Sequence, residues 1–164
     1  MDFLRHETMH VFLANKFPKA GRMVDRSFVF EVPFKIDVGG GFVVDMSGVY
    51  PPVMFHELCG IGIQIAQSDS DVPYSILTYL GYETDGSYKL VGKILPLAIL
   101  KVAPETPLKK QIMDGFYSDG TLDFPTLERL VKSPEFTPEH SKAVGNYLFT
   151  AGVQLLDMAE NTVK

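Results

Sequence analysis

The sequence predicts an α+β fold in a single domain of residues 1–164. It has an N-terminal helix, a five- to six-stranded antiparallel sheet or partly closed barrel, and a C-terminal segment of two to three helices. Three observations predict this class. A length of 164 residues fits one domain, and 46% hydrophobic with 21% charged residues is typical of a globular chain. Apolar residues alternate with a period of two over residues 27–103, and helix caps follow Pro104.

The first element is a helix over residues 2–16. Asp2 is a suitable N-cap, and Phe17-Pro18 ends the helical pattern.

The clearest strand covers residues 27–36. One side of it is wholly apolar, with Phe28, Phe30, Val32, Phe34 and Ile36. Pro33 has no backbone N–H, which indicates an edge strand or a bulge. The glycines of Asp37-Val38-Gly39-Gly40 indicate a hairpin turn into a second strand over residues 41–49.

Further strands are predicted downstream. Ile61, Ile63 and Ile65 alternate with smaller or polar residues over residues 60–66. A strand over residues 73–82 and a turn at residues 84–87 follow, and residues 88–95 and 97–102 complete the sheet.

The helical region covers residues 106–162. Thr106-Pro107 and Thr137-Pro138 are helix starts, because an N-cap hydroxyl precedes proline at the first helical position. A short helix is predicted near residues 125–132, and the last helix extends to about residue 160. Three residues widen the apolar stripe of that last helix and predict an interface with a protein partner or a second copy: Phe149, Val153 and Leu156.

A metal site is the main catalytic alternative. His6-Glu7-Thr8-Met9-His10 matches H-E-x-x-H, in which two histidines four residues apart on a helix bind zinc and the glutamate is the general base. The motif requires a third ligand, for which His56, His140 or an acidic residue is a candidate. The preferred prediction is no metal and no cofactor.

A second arrangement uses the same histidines. His56 and Cys59 have a spacing that suits two ligands, and together with His6 and His10 they would form a Cys-His₃ zinc site. The alternative is that Cys59 is a small buried apolar residue.

One stretch carries a family resemblance. Phe28-Val29-Phe30-Glu31-Val32, followed by residues 41–48, resembles the opening hairpin of contractile phage tail-tube proteins. The resemblance implies a hairpin here. Because the last third is helical, unlike that mostly β family, the family's function is not carried over.

Charge and terminal segments exclude several classes. The net charge is −5, and Lys109-Lys110 is the densest basic cluster, so nucleic-acid binding is not expected. No apolar run is long enough for a membrane helix, and residues 1–7 do not form a signal peptide. With a single cysteine, we expect a soluble intracellular protein, cytoplasmic or within an assembled particle.

These observations favour a non-catalytic structural or assembly subunit. It would act through protein–protein contacts in a viral, phage or other multi-subunit complex and would form an oligomer. The first alternative is a small zinc-dependent hydrolase with Glu7 as its base. The second is a small-molecule binding barrel, with a pocket lined by Phe28, Phe30, Phe34, Ile61 and Ile63.

Overall fold

The fold is mainly helical. The computed structural model describes residues 6–20, 29–39, 42–67, 76, 80 and 89–162. These residues form, in chain order, α1 (His6–Lys16), β1 (Phe30–Val32), β2 (Lys35–Gly39), β3 (Phe42–Asp45), β4 (Gly48–Tyr50), α2 (Pro52–Gln67), α3 (Lys89–Val102), α4 (Pro107–Asp119), α5 (Phe124–Lys132) and α6 (Pro138–Thr162). The described part contains two two-stranded antiparallel sheets. The predicted five- to six-stranded sheet or barrel is therefore wrong.

The predicted strand over residues 60–66 lies in α2. Its isoleucines alternate with Gly60, Gly62 and Gln64, which imitates a half-buried strand. All residues from Leu58 to Ile63 are buried in the helix, so no polar face marks the helical period. A short apolar run of this kind does not distinguish a buried helix from a strand.

The predicted strands over residues 88–95 and 97–102 are wrong, because α3 covers residues 89–102. Between Leu90 and Leu100 only Lys93 is exposed, so this helix also lacks a polar face. Pro96 lies inside it and removes one helical hydrogen bond, so it does not mark a strand boundary. The predicted strand over residues 73–82 and the turn at residues 84–87 lie outside the described residues, except for Ile76 and Leu80, which are buried.

The predicted β-hairpin is present. Strands β2 and β3 pair antiparallel, but the predicted turn begins too early, because residues 37–39 belong to β2. Gly39 ends β2 with a φ of 113°, which favours glycine. Strands β1 and β4 pair antiparallel beside them. The alternating pattern of residues 29–38 is also present, since their even-numbered side chains are buried and their odd-numbered ones are exposed.

The helices after Pro104 begin and end where local chemistry predicts. The Thr106 side chain accepts a hydrogen bond from the Lys109 N–H, and Gly120 ends α4 with a φ of 75°. Asp123 caps α5 in the same way, accepting from the Thr126 N–H. Thr137 precedes α6, and its N–H donates to His140 Nδ1 at 3.0 Å.

The most extensive contact in the fold is between α2 and α6. The two helices cross antiparallel and very close, because small residues lie at the crossing. A Cβ added at Gly62 would be 2.6 Å from the Gly145 carbonyl oxygen, and one added at Gly145 would be 2.5 Å from the Ala66 nitrogen. Helix α3 covers another side of α6.

Candidate functional site

The residues of the predicted zinc motif lie in α1. The helix spans His6, Glu7 and His10, so the backbone has the spacing that the motif requires. The side chains of residues 6–10 lie outside the described part of the structure. Zinc binding by His6 and His10, and the role of Glu7 as a general base, therefore stay predictions.

His56 and Cys59 lie in α2, and both are buried. The Cys59 thiol donates to the Phe149 carbonyl oxygen of α6 over 3.8 Å, and a Cβ at Gly152 would collide with its sulfur. Burial raises the pKa of this thiol far above its ordinary value, so it is protonated at neutral pH. Cys59 thus acts here as a small packing residue of the α2–α6 crossing rather than as a nucleophile.

No three histidine, cysteine, aspartate or glutamate side chains converge on a metal site within the described residues. His140, a candidate third ligand, instead accepts a hydrogen bond from the Thr137 N–H through Nδ1. Since the His6 and His10 side chains are not described, the Cys-His₃ arrangement stays a prediction.

The predicted interface residues of α6 differ in exposure. Leu156 is 0% exposed inside the chain, whereas Phe149 and Val153 are partly buried and pack against the core. The broad apolar stripe of α6 is explained largely by contacts with α2 and α3 of the same chain.

The described residues form no barrel that could enclose the predicted pocket. Phe30 and Phe34 lie on the buried side of the β-hairpin region, Ile61 and Ile63 lie in α2, and Phe28 lies outside the described residues. The four described side chains belong to a filled core, whereas a binding pocket would require an open cavity between them.

A cleft of about 580 Å³ lies between the end of β2 and the first turns of α4. No pattern in the sequence predicts this cleft. Its four charged side chains pair with one another: Lys109 Nζ lies 3.0 Å from Glu105, and Lys110 Nζ lies 3.3 Å from Asp114. The cleft therefore offers little charge with which to select a ligand.

The two sheets follow one another in the same register and form an interrupted two-stranded ribbon, which we call the β-ribbon (residues 29–39 and 42–50). Phe30 pairs with Tyr50 and Val32 with Gly48, and Lys35 pairs with Asp45 in the same register. The two ladders are interrupted at Pro33, which has no N–H to donate. There the Phe34 N–H donates to Ser47 Oγ at 3.0 Å.

The two faces of the β-ribbon are chemically different. The inner face is mainly apolar, with Phe30, Phe34 and Ile36 buried and Tyr50 partly buried. The outer face, formed by odd-numbered residues, exposes three valines among charged and polar residues. Val29 is 49% exposed, Val43 50% and Val49 61%. β-Branched residues on an exposed strand are suited to pairing with another strand.

The two edges of the β-ribbon also differ. The Met46 N–H donates across the ribbon to the Phe34 carbonyl oxygen at 2.8 Å. Because antiparallel strands alternate, the N–H and C=O groups of odd-numbered residues point outward, to the edges. Pro33 therefore removes an outward donor from the β1–β2 edge. The β3–β4 edge has no proline from Phe42 to Tyr50.

The helices lie mainly under the β1–β2 side. Among the described elements, α3 contacts β2 and α6 contacts β1, whereas β3 and β4 contact helices less, chiefly through Tyr50 of β4 beside Phe55 of α2. Lys101 of α3 strengthens this attachment, since its ammonium donates to the Asp37 carbonyl oxygen at 2.8 Å. No third strand pairs with the β-ribbon among the described residues. The β3–β4 edge is thus the side that a further strand could approach.

Asp45 is the charged residue on this edge. Hydrogen bonds from Ser47, through its hydroxyl and its backbone N–H, lower the pKa of the Asp45 carboxyl, and the charge of Lys35 on the paired strand lowers it further. The Ser47 N–H lies 2.8 Å from Asp45 Oδ1. Asp45 is therefore ionised at neutral pH, and it occupies the outward N–H of Ser47.

No helix in the described part of the chain is both long and apolar enough to cross a bilayer. No protein-family model, no curated protein and no solved structure matches this chain. A function can therefore be argued only from the chain's own residues.

Proposed function

We propose that the protein is a non-catalytic assembly subunit that acts through protein–protein contacts, and that the β3–β4 side of the β-ribbon is its contact surface. The observation that supports this is a strand edge that pairs with no further strand among the described residues and carries exposed Val43 and Val49. Native proteins usually protect such edges with proline, lysine or a covering element. Apart from Asp45, the described part of this edge has none of these protections, and an edge with exposed apolar residues is a surface on which another strand can add.

The contrast within the β-ribbon adds weight to the proposal. The β1–β2 edge has Pro33 and lies against helices, as far as the described residues show. In the described part of the chain, one edge is protected and the other is accessible, so a partner strand has one side on which to add. The alternative contact site on α6 is weaker, because only Phe149 and Val153 of its three predicted residues have exposed surface.

The test compares two valines of equal exposure. Val49 on β4 is 61% exposed and Val11 on α1 is 62% exposed. Each is changed to lysine in a tagged chain expressed at its natural level in the source organism. The cells are crosslinked before lysis, so that a weak contact survives dilution, and the size of the tagged species in the extract is then measured by gel filtration.

We expect the unchanged chain and Val11→Lys to elute in a species larger than one chain. Val49→Lys should shift toward the size of one chain, because a lysine placed against the added strand disfavours pairing. The proposal is wrong if the unchanged chain elutes as one chain, or if both lysine variants elute like the unchanged chain.

A further inference from the structure

We infer that the occupant of the β3–β4 edge is the same edge of a second copy of this chain, paired antiparallel about a two-fold axis at Met46. This inference rests on the proposed function, and it names the partner. The result would be a four-stranded sheet that joins two β-ribbons. A two-fold contact of this type is closed, because the same surface is used by both copies.

The side chains of the outer face select this register. With the axis at Met46, Val43 of one copy lies opposite Val49 of the other, and the pair occurs twice by symmetry. Asp45 then lies opposite Ser47, where it meets no like charge. Valine pairs across neighbouring strands stabilise a sheet, whereas like charges directly opposite destabilise it.

Neighbouring registers place less favourable pairs of outer-face side chains opposite each other. An axis at Asp45 would place two ionised carboxylates opposite each other, and the hydrogen bonds of Ser47 hold Asp45 in its charged form. An axis at Ser47 would place Asp45 opposite Val49. Of the three, only the axis at Met46 places valine on valine and separates the acidic side chains.

The inner face is compatible with the same register. Met46 would lie beside its symmetry mate. Val44 would lie opposite Gly48, where the Tyr50 ring covers the glycine, so Val44 would pack against that ring. Met46 is buried and Val44 partly buried on the side that faces the core, so this contact would extend the apolar inner face across the dimer.

The backbone groups also match. In this register, the outward N–H of Val43 faces the carbonyl oxygen of Val49 in the other copy, and the reverse pair forms as well. The exception is the Ser47 N–H, which already donates a hydrogen bond to Asp45 of its own strand. An edge of this length buries less area than a standard interface of about 800 Å² per partner, so we expect a weak, concentration-dependent dimer.

A charge-pairing experiment tests both the partner and the register. Four single variants are made at the two exposed valines: Val43→Lys, Val43→Glu, Val49→Lys and Val49→Glu. Because both positions are on the surface, the fold should be retained, and far-UV circular dichroism checks it. Association of the purified chains, one carrying a dye, is measured by analytical ultracentrifugation up to about 1 mM.

We expect the unchanged chain to dimerise. A mixture of Val43→Lys with Val49→Glu should associate up to about fivefold more tightly than a mixture of Val43→Lys with Val43→Glu, because only the first mixture places opposite charges on facing positions. Val49→Lys mixed with Val43→Glu should behave like the first mixture. Val11→Lys should dimerise as the unchanged chain does.

Two outcomes overturn the inference. One is that the purified chain stays a monomer across the concentration range. The other is that Val43→Lys associates as well with Val43→Glu as with Val49→Glu, which excludes the Met46 register. Since these measurements use the isolated chain, a monomer here together with a Val49-dependent complex in the source extract would overturn self-pairing and leave the proposed function standing.

Discussion

Cys59 shows how the surroundings of one residue decide its chemistry. The thiol lies in the α2–α6 crossing, donates to the Phe149 carbonyl oxygen, and has no exposed surface. Because a thiolate would lose its hydration there, burial raises the pKa of the thiol in the folded state. The unfolded chain has no such environment, so its thiol ionises near pH 8.5.

This difference predicts a loss of stability at alkaline pH. Below about pH 8.5 the thiol is protonated in both states, and its contribution to stability is fully present. Above that pH only the unfolded chain releases the proton, so the free energy of unfolding should fall by about 1.4 kcal/mol per pH unit until the folded thiol itself ionises.

Urea unfolding between about pH 7 and pH 10, compared for the unchanged chain and Cys59→Ala, isolates this effect from other titrating groups. The stability advantage of the unchanged chain over Cys59→Ala should shrink as the pH rises above about 8.5. Parallel profiles over the whole range would show that the thiol titrates alike in both states.

At the scale of elements, the α2–α6 crossing depends on glycine for close approach. Added Cβ atoms at Gly62 and Gly145 would each lie 2.5–2.6 Å from backbone atoms of the other helix. Because these are backbone atoms, no side-chain rotation can relieve the clash. Gly115 in α4 is the matched contrast, since nothing lies within 4 Å of its added Cβ. The same substitution should therefore have opposite effects at these two kinds of position.

We expect Gly62→Ala and Gly145→Ala each to lower the free energy of unfolding by about 1–3 kcal/mol or more, because the helices must separate. Gly115→Ala should raise it by about 0.5–1 kcal/mol, because alanine has the higher helix propensity. Denaturant unfolding of the three variants measures both signs. A stabilising Gly145→Ala would mean that the helices do not touch at this point.

The sequence predicts the elements unequally, for physical reasons. Caps and stop signals are local, so Thr106, Gly120 and Thr137 locate the helices after Pro104. α2 and α3 are buried around most of their girth, so their apolar residues lack a helical period, and Ile61, Ile63 and Ile65 imitate a strand. Whether these two segments form helices or strands depends on their burial by the rest of the fold. The local sequence pattern carries no information about that burial.

The candidate contact surface on the β-ribbon is also predicted only in part by the sequence. Pro33 indicates an edge in the sequence itself, because its missing N–H excludes it from a central strand. The exposure of Val43 and Val49 depends on which face of the β-ribbon meets the helices, and that is a property of the tertiary fold. The α6 interface was predicted from a stripe that α2 and α3 of the same chain cover in large part.

At the scale of the whole molecule, α6 connects the parts of the fold. It contacts α2, α3 and β1, and its last turns reach the segment that follows α1. There Glu160 Oε1 accepts hydrogen bonds from the Lys19 N–H at 2.9 Å and the Ala20 N–H at 3.0 Å. These bonds tie the first described segment of the chain to the last.

This connection predicts a local effect of Glu160→Ala. Hydrogen bonds to a charged group contribute about 1.5–3 kcal/mol each, and the partial exposure of Glu160 reduces that value. The amides of Lys19 and Ala20 should therefore exchange with deuterium about tenfold faster in the variant.

Glu160→Gln retains an acceptor oxygen and should restore part of the protection. Asp157→Ala removes an exposed carboxylate one turn earlier on α6 and should leave both amides unchanged. Equal exchange in Glu160→Ala and Asp157→Ala would show that apolar contacts of Leu13, Phe17 and Ala20 alone hold this segment against the core.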